Sequence, residues 1–169
     1  LDDMWSCGML FGQEELLAGL LGLDVVPDGL WPSVGDPRVD AIVLFAPGNV
    51  PAFGAQGLAS IEVPSMVLAG TADPFNPVDV YALAYEELGS AQKGFVAFQD
   101  GGHTVFGDAC KQAPWLIDFQ LYWLCSDSVW DMDRAHDLIN HFATAFLLAE
   151  LYGDAEAAAA LTPEAVQFP

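Results

Sequence analysis

Positive charge is what this chain has least of. Four Lys and Arg stand against 24 Asp and Glu in 169 residues, a formal net charge of −20. A surface of that sign repels phosphate backbones and anionic headgroups, so no nucleic acid and no membrane surface is expected as a partner. Such acidity suits a solvated surface adapted to salt, or one that keeps a secreted or periplasmic protein soluble.

Cysteine is also scarce. Cys7, Cys110 and Cys125 contain no CxxC pair and give no basis for a structural zinc site. Cys110 and Cys125 are close enough in sequence to bridge, and two readings stand side by side, a disulfide or small buried hydrophobes. Cys7 would then be free or paired with something outside this chain. Long apolar runs are missing too: "FATAFLLAELYG" is too short and too near acids to span a bilayer. The chain opens at Leu1 without an initiator Met, a basic leader or an apolar signal core, so the expectation is that any targeting segment lies upstream or never existed. Neither a GxxxxGK phosphate loop nor an HExxH metal motif occurs, and no cofactor is expected.

Against these absences, 53% of the residues are hydrophobic, enough for one substantial core. The expected organisation is a single α/β domain over 1–169, with 111–169 forming a helical part that packs on the sheet. "QEELLAGLLGL" from Gln13 has leucines at three- and four-residue spacing, which predicts a partly buried helix. "VDAIVLFAPG" (Val39 to Gly48) is a continuous apolar, β-branched run bounded by turn residues, the pattern of a strand buried on both faces. A Gly- and Ala-rich connection, "NVPAFGAQGLASIE", leads to a second such run, "VPSMVLAG" (Val63 to Gly70), and then to the turn "TADPFNP". "VDVYALAYEELG" places Val80, Leu83, Ala84 and Leu88 on one helical face, with Gly89 as the stop. "GFVAFQ" (Gly94 to Gln99) is a third strand, ending in Asp100, Gly101, Gly102 and His103.

This order predicts a parallel sheet covered by helices, because parallel neighbours need crossovers on the sheet faces. "PWLIDFQLYWLC" and "DMDRAHDLINHFATAFLLAELYG" read as helices that close one side of it. The second of these puts Met132, Ala135, Leu138, Ile139, Phe142, Phe146 and Leu147 on one face, and "GDAEAAAALTPE" adds a short helix. Three strands leave two apolar edges, so further strands are expected outside this chain.

In sheets of this kind, functional groups collect in the loops beyond the carboxyl ends of the strands. Asp73 follows the second strand and His103 the third, so neighbouring parallel strands would deliver a carboxylate and an imidazole to one sheet edge. A carboxylate that accepts from one ring nitrogen fixes the tautomer and leaves the other free to take a proton from a nucleophile. Gly101 and Gly102 would permit the tight backbone that swings the imidazole over the sheet, and Pro74 and Pro77 would stiffen the loop of Asp73. Each residue also has a plainer reading, His103 as a capping residue and Asp73 as a turn former before proline. Asp100 is too near in sequence to orient His103, and Asp79 and Asp108 are weaker alternatives. His136 and His141 are five apart, not the four that aligns two metal ligands. Asp127, Asp131 and Asp133 precede a helix, where capping is favoured over calcium binding.

"VPSMVLAGTADPFNP" followed by "GFVAFQDGGHTVFGD" resembles the acid and histidine segments of the α/β-hydrolase fold, most closely its dienelactone-hydrolase-like and secreted esterase or lipase branch. "DPRVDAIVLFAPG" resembles the strand before the acid strand, and the similarity runs from Val39 to the final helices. The resemblance implies Asp73 as triad acid, His103 as general base and a carboxylic ester as substrate. It also implies a serine in G-x-S-x-G earlier in the chain. Ser6, Ser33, Ser60, Ser65, Ser90, Ser126 and Ser128 all lack that setting, as does Cys7. The expectation is therefore the C-terminal half of an α/β-hydrolase whose N-terminal half supplies the serine and oxyanion donors. Its rival is a non-catalytic hydrolase-like binding or assembly module, favoured by the missing serine. A metal-assisted hydrolase using Asp73 and His103 is a third reading.

Overall fold

The computed structural model describes residues 12–32, 35–48 and 50–165. Cys7, Ser6 and Ser33 lie outside them. The described chain is α/β, with a parallel sheet of three strands in the order β1 (Ile42–Phe45), β2 (Ser65–Gly70), β3 (Lys93–Phe98). Helical crossovers join them: α2 (Val50–Ala59) between β1 and β2, and α3 (Val78–Glu87) between β2 and β3.

Alternation along β2 sorts the core into two layers, because successive side chains point to opposite faces. Met66 and Leu68 pack with Phe98, Val105 and the inner face of the long helix α6 (Met132–Tyr152). Val67 and Ala69 face the other way, against Tyr81 and Leu88 at α3. All six residues of β2 are buried, as its near-continuous apolar run requires. Burying a side chain such as Leu68 completely contributes roughly 2 kcal/mol, so this central strand anchors both layers.

The outer elements depart from the sequence expectation for identifiable reasons. β1 spans four residues rather than ten and is not buried on both faces, with Phe45 44% exposed, because it pairs with β2 alone among the described residues. The Gly- and Ala-rich connection is not a plain loop but the helical segment α2, kinked at Gly54, whose φ of 60° and ψ of 170° no helix accommodates. The helix from Gln13 forms as α1 (Glu14–Leu20), yet only Ala18 is buried and Leu20 is 74% exposed.

In α3, Val80 and Ala84 point inward as expected, but Leu83 is exposed and Tyr81 takes the inner position. Gly89 is not a left-handed cap. It lies where α3 ends against α2, and a Cβ there would meet the Ala59 carbonyl oxygen at 2.0 Å.

The last third divides. Helix α6 packs Ala135, Leu138, Ile139, Phe142 and Phe146 into the core cluster with the sheet, with Leu147 partly buried against it, and Ala145 is buried too. The Asp131 carboxylate accepts from the Arg134 N–H at its start, and Gly153 ends it at φ 65°. The short helix α7 (Ala155–Ala160) follows, capped by Asp154. The short helix α4 (Ala109–Gln112) comes first, and the segment read as the helix "PWLIDFQLYWLC" then holds only α5 (Trp115–Asp118) and a 3-10 turn at Tyr122–Leu124. It does not close the sheet as expected: Trp115, Phe119, Tyr122 and Trp123 are exposed, and Gln120 interrupts it at φ 60°.

Cys110 and Cys125 settle as a disulfide that staples this excursion, with Cα atoms 5.4 Å apart. Closing a loop of this length constrains the unfolded chain by about 3 kcal/mol. Thermal unfolding with and without reductant, compared with a double Cys→Ser variant, is expected to show that loss in both the reduced and the substituted protein.

Candidate active site

The register sets the site. Gly70 pairs with Phe98 at the ends of β2 and β3, so the loops that follow begin side by side at one sheet edge. Backbone bonds then lace them together: Thr71 N–H donates to the Phe98 carbonyl (3.0 Å) and Ala72 N–H to the Gly101 carbonyl (3.0 Å). Asp100 N–H donates to the Thr71 hydroxyl (2.8 Å).

The tight turn falls on Asp100, at φ 57°, and not on Gly101 or Gly102 as the sequence suggested. Those glycines serve close approach instead. A Cβ on Gly101 would sit 3.1 Å from the Phe98 Cβ, and one on Gly102 would sit 3.1 Å from an Asp127 oxygen.

Asp73 and His103 meet. Oδ2 of Asp73 lies 2.7 Å from Nδ1 of His103, with the carboxylate fully buried and the imidazole 38% exposed. With Asp73 ionised, Nδ1 carries the proton and donates, which leaves Nε2 as the acceptor nitrogen. The other carboxylate oxygen, Oδ1, accepts the N–H groups of Phe75 (2.8 Å) and Asn76 (3.1 Å) in the "DPFNP" turn. A fourth donor was not foreseen from the sequence: the buried hydroxyl of Tyr81 donates to Oδ2. Phe75 itself is exposed, its ring edge-on to the imidazole at 5.1 Å between centroids.

Electrostatics follow from these contacts. Burial by itself pushes the Asp73 pKa up, but the bonds from Tyr81, His103 and the two backbone N–H groups outweigh it and hold the carboxyl below its ordinary value. Burial, and then the Asp73 carboxylate, push the Tyr81 phenol strongly up, so it stays a neutral donor. A carboxylate depressed on folding stabilises the fold above its unfolded pKa of about 3.9, and that contribution disappears as pH falls through the folded value. The acid side of the stability profile, read from unfolding midpoints between about pH 5 and pH 2, is accordingly expected to flatten in D73N.

The loop carrying His103 is braced from the far side by Asp127. Its Oδ2 accepts the Gly102 N–H (2.7 Å) while Oδ1 accepts from Val129 and Trp130 (2.9 Å each). Burial raises the Asp127 pKa and these three bonds lower it, with a net shift downward. Asp127 therefore does not cap the helix, a task that falls to Asp131; it closes the turn before the helix and ties together segments 25 residues apart. The Trp130 indole N–H donates to the Gln99 carbonyl (2.8 Å), and its ring packs on Phe98.

The remaining candidates are placed elsewhere. Asp108 pairs with Lys111, Asp79 lies in the first turn of α3, and the Asp100 side chain makes none of these contacts. His136 and His141 meet the carbonyls of Gly107 and Ala160, and no three His, Cys, Asp or Glu side chains among the described residues form a metal-binding group. The hydroxyls of Ser60, Ser65, Ser90 and Ser126 donate to backbone carbonyls rather than to His103. Cys110 and Cys125 are consumed by their disulfide. Among the described helices, none is long and apolar enough to cross a membrane. Comparison with protein-family models, curated proteins and solved structures finds no significant match.

Proposed function

We propose that this chain supplies the acid and the base of a serine hydrolase acting on carboxylic esters, as the C-terminal portion of an α/β-hydrolase fold. The observation that carries the reading is the 2.7 Å bond between the buried Asp73 carboxylate and Nδ1 of a partly exposed His103, both delivered beyond the carboxyl ends of adjacent parallel strands. The nucleophilic serine and the oxyanion donors belong to a segment outside the described residues, the N-terminal half of the same hydrolase.

In the acylation step, the serine oxygen attacks the ester carbon and its proton passes to Nε2 of His103. Asp73 stabilises the imidazolium, which then protonates the departing alkoxide as the C–O bond breaks. Water then attacks the acyl-enzyme, giving a proton to Nε2 of His103, which returns it to the serine oxygen as the acyl C–O bond breaks and the carboxylic acid leaves. Phe75, exposed beside the imidazole, offers an apolar contact for the ester, consistent with small or medium acyl groups. The Cys110–Cys125 disulfide favours an oxidising compartment, and with the −20 charge it supports a secreted or periplasmic protein, from a saline setting.

Hydrolysis of p-nitrophenyl esters by the complete gene product tests the reading. H103A is expected to abolish turnover, and chelator to leave the parent unaffected. Unchanged hydrolysis in H103A would favour the binding-module alternative or another active site, and chelator sensitivity the metal-assisted one.

A further inference from the structure

We propose that Tyr81 is a positioning residue of this site, its buried phenol fixing the Asp73 carboxylate so that Oδ2 is shared between the phenol and the His103 ring. The inference rests on the hydrolase reading for its catalytic meaning, but its geometry stands independently.

Tyr81 has no exposed surface, and its hydroxyl is bonded to Asp73 Oδ2 from one turn inside α3. A buried hydroxyl left without a partner is strongly unfavourable, so the phenol and the carboxylate hold each other in place. The two backbone donors fix Oδ1 only. Without the phenol, the carboxylate could pivot about that oxygen, and Oδ2 would be held by His103 alone.

Sharing has an electrostatic consequence. Each donor on Oδ2 withdraws part of its negative charge, so the phenol moderates how strongly Asp73 pulls on the imidazole proton. It also counteracts the burial of the carboxylate, keeping Asp73 ionised opposite His103. Few other charges face this pair. Asp127 meets the His103 loop at Gly102 N–H, Lys93 is bound to the carbonyls of Glu86 and Leu88, and Lys111 to Asp108 and Asp133.

The test is Y81F in the complete gene product, read by NMR. Two signals matter: the ring Nδ1 proton of His103, and the pH titration of the 13C-labelled Asp73 carboxyl. The expected result is a downfield move of the Nδ1 proton, now alone on Oδ2, together with a higher titration midpoint for Asp73. A phenol that merely fills space would leave both where they are, and that result would overturn the proposal.

Should Y81F fail to fold, 3,5-difluorotyrosine at position 81 keeps the shape and strengthens the donor. Both signals should then move the opposite way, and unmoved signals again refute the proposal. Ester hydrolysis separates the two claims: shifted signals in a protein whose H103A variant loses no hydrolysis would retain Tyr81 as a carboxylate anchor and reject the hydrolase reading. In an active enzyme, Y81F should lower kcat several-fold while KM stays near the parent value.

Discussion

D73N is expected to lower kcat for ester hydrolysis by about 10⁴-fold while leaving KM near the parent value. The reason lies in what Oδ2 does for the imidazole. An ionised carboxylate only accepts, so it holds the proton on Nδ1 and leaves Nε2 free to take one from a serine. An amide in the same place can present its NH₂ group to the ring, which selects the tautomer whose Nε2 already carries a proton. The Tyr81 hydroxyl, which needs an acceptor, and the two turn N–H groups on the other oxygen force the amide to choose which donors to satisfy. Steady-state kinetics of the complete gene product check the prediction. A loss below about tenfold would assign Asp73 to the turn rather than to catalysis.

G70A is expected to destabilise the fold by about 3 kcal/mol and to uncouple the two functional loops. A Cβ at this position would stand 2.3 Å from the Gly101 carbonyl oxygen and 2.9 Å from that of Gly102. Neither is the end of a flexible side chain. The Gly101 carbonyl accepts from Ala72, one residue before Asp73, and the Gly102 N–H is held by Asp127, so relief of the clash must move the loops that present the acid and the histidine. G94A serves as the contrast, since its Cβ would meet the terminal methyl of Met66 at 3.2 Å, a flexible group that can give way. Chemical denaturation of both variants, with the His103 ring signal as a local probe, should show a large change for G70A and a small one for G94A.

The legible parts of this molecule are those fixed by local pattern. An uninterrupted apolar run bounded by turn residues made β2 and β3 readable, and three- and four-residue spacing made α6 readable. Their order placed Asp73 and His103 at the same end of adjacent strands, where the structure brings them together. The features that escaped depend on how elements meet. A hydrophobicity count chose Leu83 for the inner face of α3, whereas Tyr81 joins Val80, Ala84 and Leu88 in the buried row, where its phenol finds a carboxylate. The spacing was present in the sequence, but nothing local announced the partner.

Asp127 illustrates the same limit from the other side. Its two short-range bonds to Val129 and Trp130 are the local turn that an Asp side chain readily closes, but the bond to Gly102 spans 25 residues and has no local signature. Helix α2 was hidden by its own glycines, since Gly54 and Gly57 resemble a connection until one of them is seen to make a kink within a helical path. The glycines before His103 were read as hinges for unusual backbone angles. Their real constraint is space, which becomes visible only once Phe98 and Asp127 are in place.

The measurement that bears most directly on the central claim is the site of a fluorophosphonate adduct on the complete gene product, mapped by peptide mass spectrometry in the parent and in H103A. The account predicts one labelled serine outside residues 1–169, with labelling lost in H103A. An adduct on Ser6, Ser33, Ser60, Ser65, Ser90, Ser126 or Ser128, or labelling undiminished in H103A, would contradict it.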